Sequence, residues 1–286
     1  AGNFSTDGGT IKLDGNYPTG TCNVALGDNA LSNGSLSGDF NTAVGTNALL
    51  ANTSADGNTA IGRSSLCSNT TGNCNTGLGM NALLGNTEGF GNVAVGRSSM
   101  VANTTGDNNV AVGQNSLVSN TTADNNTAVG TCALNANTTG ADNTSVGLCS
   151  LVANTTGCRN VSVGKGSLVS NTIGQQNTSL GFASMGDNTE GEFNTAIGSA
   201  SLADNTTANC NVAVGYNSLR KNTTANNNAA VGTLALTANT TGASNVAVGF
   251  QALNSNTTAS NNVAVGEDAL KDTTTGCQNI AMGRNA

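Results

Sequence analysis

Aliphatic residues recur along the chain with a fixed period. A five-residue motif, in most copies Asn–(Val/Thr)–(Ala/Ser)–(Val/Ile/Leu)–Gly, begins at Asn41 and returns every 17 residues up to Asn279. One earlier copy begins at Asn23, 18 residues before Asn41. We number each unit from this Asn as position 1. Position 4 is always aliphatic or Met, position 9 is Leu or Met, and position 5 is always Gly.

A period of 17 residues is too short for a helical-hairpin repeat and predicts one turn of a β-solenoid. In such a fold each coil pairs with the coils before and after it, at the strand spacing of about 4.8 Å. One coil contains too few apolar residues to form a core alone, so the core becomes continuous only by stacking. The sequence therefore predicts an all-β chain, a parallel β-solenoid or β-roll of about fifteen coils over residues 23–286.

The strict apolar character of positions 4 and 9 predicts that both face the interior. Position 4 lies in a short strand, and position 9 is expected in a second short strand opposite it. The predicted core residues are Val44, Leu49, Val95, Val112, Leu117, Val129, Leu134, Val214, Leu219, Val248 and Leu253.

Other positions are restricted in ways that predict corners and close contacts. Gly at position 5 fits a bend with positive φ. Asn at positions 1 and 12 fits corners, and stacked Asn side chains can form hydrogen-bonded ladders. Positions 3 and 8 hold Ala or Ser, with Gly77 the variation. Small residues there indicate close approach of another backbone, either the opposite side of the coil or a partner chain.

Both ends of the sequence differ from the repeat. Pro18 is the only proline and precedes the first motif, so residues 1–22 are predicted to form an N-terminal cap or a segment that joins subunits. The last unit, 279–286, covers about half a coil. Because an uncovered β edge pairs readily with another chain, we expect capping, trimerisation or head-to-tail joining.

The composition argues against several functions. The chain has no His and only 9% charged residues, so the common Ser-His-Asp, Cys-His and His-metal sites are excluded, and we expect no catalytic residues, metal or cofactor. A net charge of −7 without a basic patch argues against nucleic-acid binding. The sequence contains no run of 18 apolar residues, so it predicts no membrane-spanning helix.

The eight cysteines include no CxxC motif. Cys132 and Cys149 both occupy position 7 in successive units, so stacking would bring their Cα atoms within disulfide range. Cys67 and Cys74 flank one Asn-Thr-Thr turn and could close it. Cys22 and Cys277 lie near opposite ends and could link successive subunits, which would fit an oxidising compartment. The alternative for all eight is free thiols.

A second, weaker period appears at position 6. Leu148, Phe182, Tyr216 and Phe250 fall on alternate units. This pattern indicates either a duplicated two-coil ancestor or an apolar stripe that contacts a partner chain or ligand. Asn-x-Thr sequons are also frequent at position 12, and we interpret them as corner chemistry rather than glycan acceptors.

The motif Asn-Val-Ala-Val-Gly-x-x-Ser-Leu resembles the head repeats of trimeric autotransporter adhesins. The longer unit with Asn-Thr-Thr-Gly, and residues 8–18, resemble phage and bacterial tail-fibre-like proteins. The resemblance covers residues 23–286 and implies a left-handed parallel β-roll, a homotrimer, and a location outside the cell, on a cell surface or on a virion.

These observations predict a structural fibre or adhesin shaft that acts by assembly, as a homotrimer or a head-to-tail polymer, and not as an enzyme. The alternative function is ligand binding by a repetitive face. The ligand would be a cell-surface glycan, or ice bound by the Thr columns at positions 13 and 14.

Overall fold

The computed structural model describes residues 20–286 and divides into two compact units, which meet in sequence at Asn125 and Asn126. It confirms the predicted all-β, parallel β-solenoid. Unit 1 contains β1 Val24–Leu26, β2 Thr42–Val44, β3 Thr59–Ile61, β4 Thr76–Leu78, β5 Val93–Val95 and β6 Val110–Val112. Unit 2 contains β7 Thr127–Val129, β8 Thr144–Val146, β9 Val161–Val163, β10 Thr178–Leu180, β11 Thr195–Ile197, β12 Val212–Val214, β13 Ala229–Val231, β14 Val246–Val248, β15 Val263–Val265 and β16 Ile280–Met282. The predicted N-terminal segment, 1–22, lies almost wholly outside the described residues.

Within each unit, consecutive strands pair in parallel and in the register of the sequence repeat. Ala43 pairs with Ala60, for example, and Ala213 with Ala230. Each strand is three residues long, because the chain turns a corner on both sides of positions 2 to 4. Equivalent positions of successive 17-residue coils therefore stack in columns within each compact unit.

Coil-to-coil hydrogen bonds are not confined to the strands. At position 9 the Leu49 amide donates to the Ser65 carbonyl, and at position 13 the Thr53 amide donates to the Thr70 carbonyl. At position 17, the Gly57 amide donates to the Asp39 carbonyl of the preceding coil. Because buried backbone groups must be paired, this arrangement allows corners and strands alike to stack on their neighbours.

The strand face that points inward is the opposite of the one predicted. Position 3 is fully buried, as at Ala43 and Ala213, whereas positions 2 and 4 flank it on the outer face. The predicted core valines at position 4 are only half-buried or exposed, and this corrects the expectation for Val44, Val95, Val112, Val129, Val214 and Val248. The predicted core leucines at position 9, in contrast, are fully buried: Leu49, Leu117, Leu134, Leu219 and Leu253.

The reason for the reversal is the narrowness of the coil. Positions 3 and 8 meet across the interior: the Ser150 hydroxyl donates to the Ser162 hydroxyl at 2.7 Å, and the Ser65 hydroxyl donates to the Gly77 carbonyl at 2.8 Å. A Val at position 3 would not fit a gap that one hydroxyl spans. The small residues thus reflect contact across the interior of the chain's own solenoid, in these two bonds between neighbouring coils. This is the first of the two predicted alternatives, the other being a partner chain.

Position 9 lies in a turn and not in a second strand, which corrects that part of the prediction. Leu49 has a φ of 50°, and the other leucines and methionines at this position have similar values. A left-handed conformation costs an L-residue about 1–2 kcal/mol. Full burial of a Leu side chain contributes about 1.5–3 kcal/mol, so the burial offsets the backbone cost.

Position 5 requires Gly, as predicted. Gly215 has a φ of 130°, and a Cβ placed there would lie 2.5 Å from the Gly232 carbonyl oxygen of the next coil. Gly45 shows the same arrangement, with a φ of 130° and a Cβ 2.7 Å from the Gly62 oxygen. The column of glycines therefore combines a forbidden conformation for other residues with a close inter-coil approach.

Candidate interaction surfaces

The outer face of the strands is an uncharged surface of aliphatic residues and threonine in each of the two compact units. Positions 2 and 4 carry Val, Ile, Leu, Thr, Ala or Met in every strand and no charged residue. Val161, Leu180, Val212 and Val248 are 40%, 44%, 39% and 37% exposed. In unit 2, ten strands present two such side chains each, twenty in all.

Sequence reasoning missed this face because it placed position 4 in the core. A signal was present in the strict size limit at positions 3 and 8. If small residues fill the interior, the larger aliphatic residues that alternate with them must lie outside.

The predicted apolar stripe at position 6 is on the surface. Phe182, Tyr216 and Phe250 are 59%, 55% and 46% exposed, and Leu148 is exposed to a similar degree. All four belong to unit 2, and each is separated from the next by two coils. Their side chains therefore do not stack on one another; polar residues of the intervening coils, such as Ser199 and Thr233, lie between them in the column.

The two threonine columns differ in what their hydroxyls do. At position 13 the hydroxyl donates to the backbone carbonyl of the equivalent residue in the next coil. Thr155 donates to Thr172 at 3.0 Å, and Thr189 donates to Thr206 at 3.1 Å. At position 14 the side chain is exposed, as at Thr156 and Thr207. Of the two columns, position 14 alone has hydroxyls outside this ladder, and Glu88, Ile173 and Glu190 interrupt it. The exposed threonine array is therefore smaller than the double array predicted for ice binding.

The asparagines form two buried ladders, as the sequence suggested. At position 12 the Asn188 amide nitrogen donates to Asn171 Oδ1 at 2.7 Å and to the Gly191 carbonyl at 3.1 Å. At position 1 the Asn177 backbone amide donates to Asn160 Oδ1 at 3.0 Å, and its side-chain amide donates to the Gly191 carbonyl at 2.7 Å. Both columns are sealed from solvent.

This burial bears on the sequons. Their acceptor asparagines at position 12 are 0% exposed, so a glycosyltransferase cannot reach them in the folded chain. These acceptor asparagines are Asn69, Asn103, Asn120, Asn137, Asn154, Asn205, Asn222, Asn239 and Asn256.

The eight cysteines are free thiols. Cys132 and Cys149 stack in successive coils and their side chains contact each other. Burial, and next the neighbouring Cys149 thiol, raise the pKa of Cys132. No disulfide joins them in the structure, so their pairing by oxidation stays a prediction.

The other candidate bridges also stay predictions. Cys67 is half-buried, and burial raises the pKa of its thiol, whereas Cys74 is exposed. Cys22 and Cys277 are both exposed, as a link between subunits would require.

Charged groups are sparse and dispersed on this surface. Arg159 lies 3.8 Å from Asp142, and Arg284 lies 3.4 Å from Glu267, both between adjacent coils at exposed sites. Over residues 20–286 no three metal-ligating side chains cluster in a manner suited to an ion. Over the same range no helix is long and apolar enough to cross a membrane.

Three arrays of side chains are thus exposed on this surface: an uncharged aliphatic face, an aromatic column and a threonine column. No protein-family model matches the chain. A search of curated proteins likewise gives no match.

Proposed function

We propose that this chain is the shaft of an extracellular fibre or adhesin, which acts by self-association and not by catalysis. The observation that carries the proposal is the outer face formed by positions 2 and 4. Its three-residue strands are paired in register, it carries no charge, and it is repeated in every described coil.

The size of this face supports association. A stable protein–protein interface buries about 800 Å² on each partner. Unit 2 presents twenty side chains on this face, which is at the lower end of the about 20–30 residues that one partner contributes to such an interface. Most of these side chains are β-branched and lose little rotamer entropy on packing. Copies of the chain that pack through this face would lie side by side along their solenoids, as in a homotrimer.

The extracellular location and the trimeric state rest on the resemblance to autotransporter adhesin heads and tail-fibre repeats. Head-to-tail polymerisation is the other mode of assembly in this proposal. Side-by-side assembly uses the repetitive outer face, whereas head-to-tail assembly uses the open strand edges of the end coils, and neither needs a reactive group.

The experiment is a measurement of molar mass in solution, by light scattering and sedimentation, for the wild type and two charge variants. Val214→Lys places a cation on the aliphatic face, and Thr224→Lys places the same charge on the exposed position 14 column. We expect the wild type to exceed the monomer mass of 28.0 kDa, Val214→Lys to dissociate, and Thr224→Lys to remain assembled. A wild type that stays monomeric at all concentrations would contradict the proposal. Equal masses for the two variants would contradict assembly through the outer face.

A further inference from the structure

The aromatic column at position 6 of unit 2 has a spacing that other surface features lack. Phe182, Tyr216 and Phe250 occupy every second coil, so consecutive rings are separated by about 10 Å, twice the strand spacing. The column from the first ring to the last spans about 20 Å. Position 6 of unit 1 carries no aromatic residue, so the column is restricted to unit 2.

The backbone beneath the column is fixed. The Ala200 amide donates to the Phe182 carbonyl at 2.9 Å, and the Leu234 and Asp268 amides donate likewise to the Tyr216 and Phe250 carbonyls at 2.9 Å. The intervening coils make the same bond, from Asn217 to Ser199 and from Gln251 to Thr233, at 3.1 Å each. An unbroken ladder thus holds the aromatic residues in one row, and a ligand that uses them need not order the backbone first.

The chemistry of the row indicates a neutral ligand. Between Phe182 and Phe250 the column contains Ser199, Tyr216 and Thr233, which carry no charge and offer hydroxyl groups between the rings. Aromatic faces are electron-rich and contact the C–H groups that line the faces of all-equatorial sugars. Hydroxyls that alternate with rings can bond the hydroxyl groups at the edges of such sugars.

We propose that this column binds an extended β-1,4-linked glycan chain, lying along the solenoid. Successive sugars of such a chain are rotated by about half a turn, so one sugar face recurs at every second residue, at an interval close to two coils. Each ring would then contact the same face of alternate sugars. The proposal does not rest on self-association, because all its contacts lie on one unit of one chain.

The test is retention of the purified protein by insoluble polysaccharides, measured as a partition coefficient. Microcrystalline cellulose and chitin share the extended β-1,4 geometry and differ in the substituent at C2, so they identify the sugar class. Starch, which is α-1,4-linked and coiled, is the control polysaccharide. The wild type should bind at least one of the first two and not starch.

Three variants connect binding to the column. Removing all three rings, Phe182→Ala with Tyr216→Ala and Phe250→Ala, should lower the partition coefficient by at least about tenfold, given the usual strength of ring contacts. Phe193→Ala is the matched control, because Phe193 is 50% exposed in the same unit but lies at position 17. It should change binding less than twofold.

The third variant, Phe182→Ser with Ser199→Phe, keeps the number of rings and breaks the two-coil spacing. It should weaken binding by about three- to tenfold, as loss of one ring would. Circular dichroism and thermal unfolding of every variant establish that the solenoid is intact. The proposal is overturned if the wild type binds neither β-1,4-glycan or binds starch equally well. It is also overturned if the triple variant or the spacing variant binds as the wild type does.

Discussion

The buried asparagine ladder at position 12 allows a sharp prediction, and Asn188 is its best-defined member. The Asn188 side chain donates to Asn171 Oδ1 at 2.7 Å and to the Gly191 carbonyl at 3.1 Å. It accepts a hydrogen bond from the Asn205 amide nitrogen at 2.7 Å. Asn188→Ala removes all three bonds and leaves a small cavity in the interior.

The magnitude follows from these contacts. Each lost hydrogen bond contributes about 1 kcal/mol net, and the buried Asn171 Oδ1 that loses its donor adds about 1–3 kcal/mol. The Gly191 carbonyl keeps its bond from Asn177, so it adds no such penalty. Together these contributions predict that Asn188→Ala lowers the free energy of unfolding by about 4–6 kcal/mol.

Denaturant unfolding, followed by circular dichroism, measures this loss, and hydrogen exchange localises it to the coils on either side of Asn188. Asn188→Asp keeps the side-chain volume but replaces the donor with an acceptor, so it should be at least as destabilising as Asn188→Ala. That result would show that the lost hydrogen bonds, and not the cavity, are the main cause. Thr207→Ala, at an exposed position 14 site, should change stability by less than about 0.5 kcal/mol. A loss below about 1 kcal/mol for Asn188→Ala, with unchanged exchange, would refute the ladder as a source of stability.

Three further predictions concern other columns. Gly215→Ala should destabilise the chain by about 3 kcal/mol or more in thermal and denaturant unfolding, because its Cβ would meet the Gly232 carbonyl in a strained backbone; a near-neutral effect would contradict the assigned geometry. Thr273→Asn should stabilise the chain by about 1 kcal/mol, since it supplies a donor to the buried and unpaired Asn256 Oδ1, and no gain in slow hydrogen exchange near Asn256 would count against it. Iodoacetamide should alkylate Cys132 more slowly than a fully exposed thiol in a peptide standard at pH 8, because burial raises its pKa and the thiolate is the reactive form; equal rates in peptide mass spectra would contradict this.

The 17-residue period was sufficient to predict most of the fold. A 17-residue recurrence of Gly, Asn and aliphatic residues left one physically reasonable architecture, a stack of coils in register, and it located the Gly215 bend and the asparagine ladders. These features are local: a position that needs positive φ or a buried amide restricts its own residue type.

The alternation of side chains did not by itself assign inside and outside, and the size limit at positions 3 and 8 was the signal in the sequence that could have done so. Alternation with period two says that Val214 and Ala213 face opposite ways, but not which face is buried. The coil is so narrow that the small residue lies inside, and its width is a property of the closed backbone. The left-handed φ of Leu219 was equally hidden, because leucine has no local preference for that conformation and adopts it only to fill the interior.

The surface sites divide in the same way. The aromatic column was visible from sequence because its members share position 6, and its exposure follows from the structure. The aliphatic outer face was not visible from the sequence, because it depends on which face of each strand points inward. The sequence-based prediction had that orientation reversed.

The most direct test of self-association is the mass per unit length of the purified particles, measured by electron microscopy. One coil of 17 residues has a mass of about 1.7 kDa and advances about 4.8 Å, so one solenoid carries roughly 0.35 kDa per Å. Side-by-side assembly through the aliphatic face predicts a multiple of this value, about 1 kDa per Å for a trimer. Discrete particles of 28.0 kDa with the mass per length of one solenoid, at every protein concentration, would contradict the proposed function.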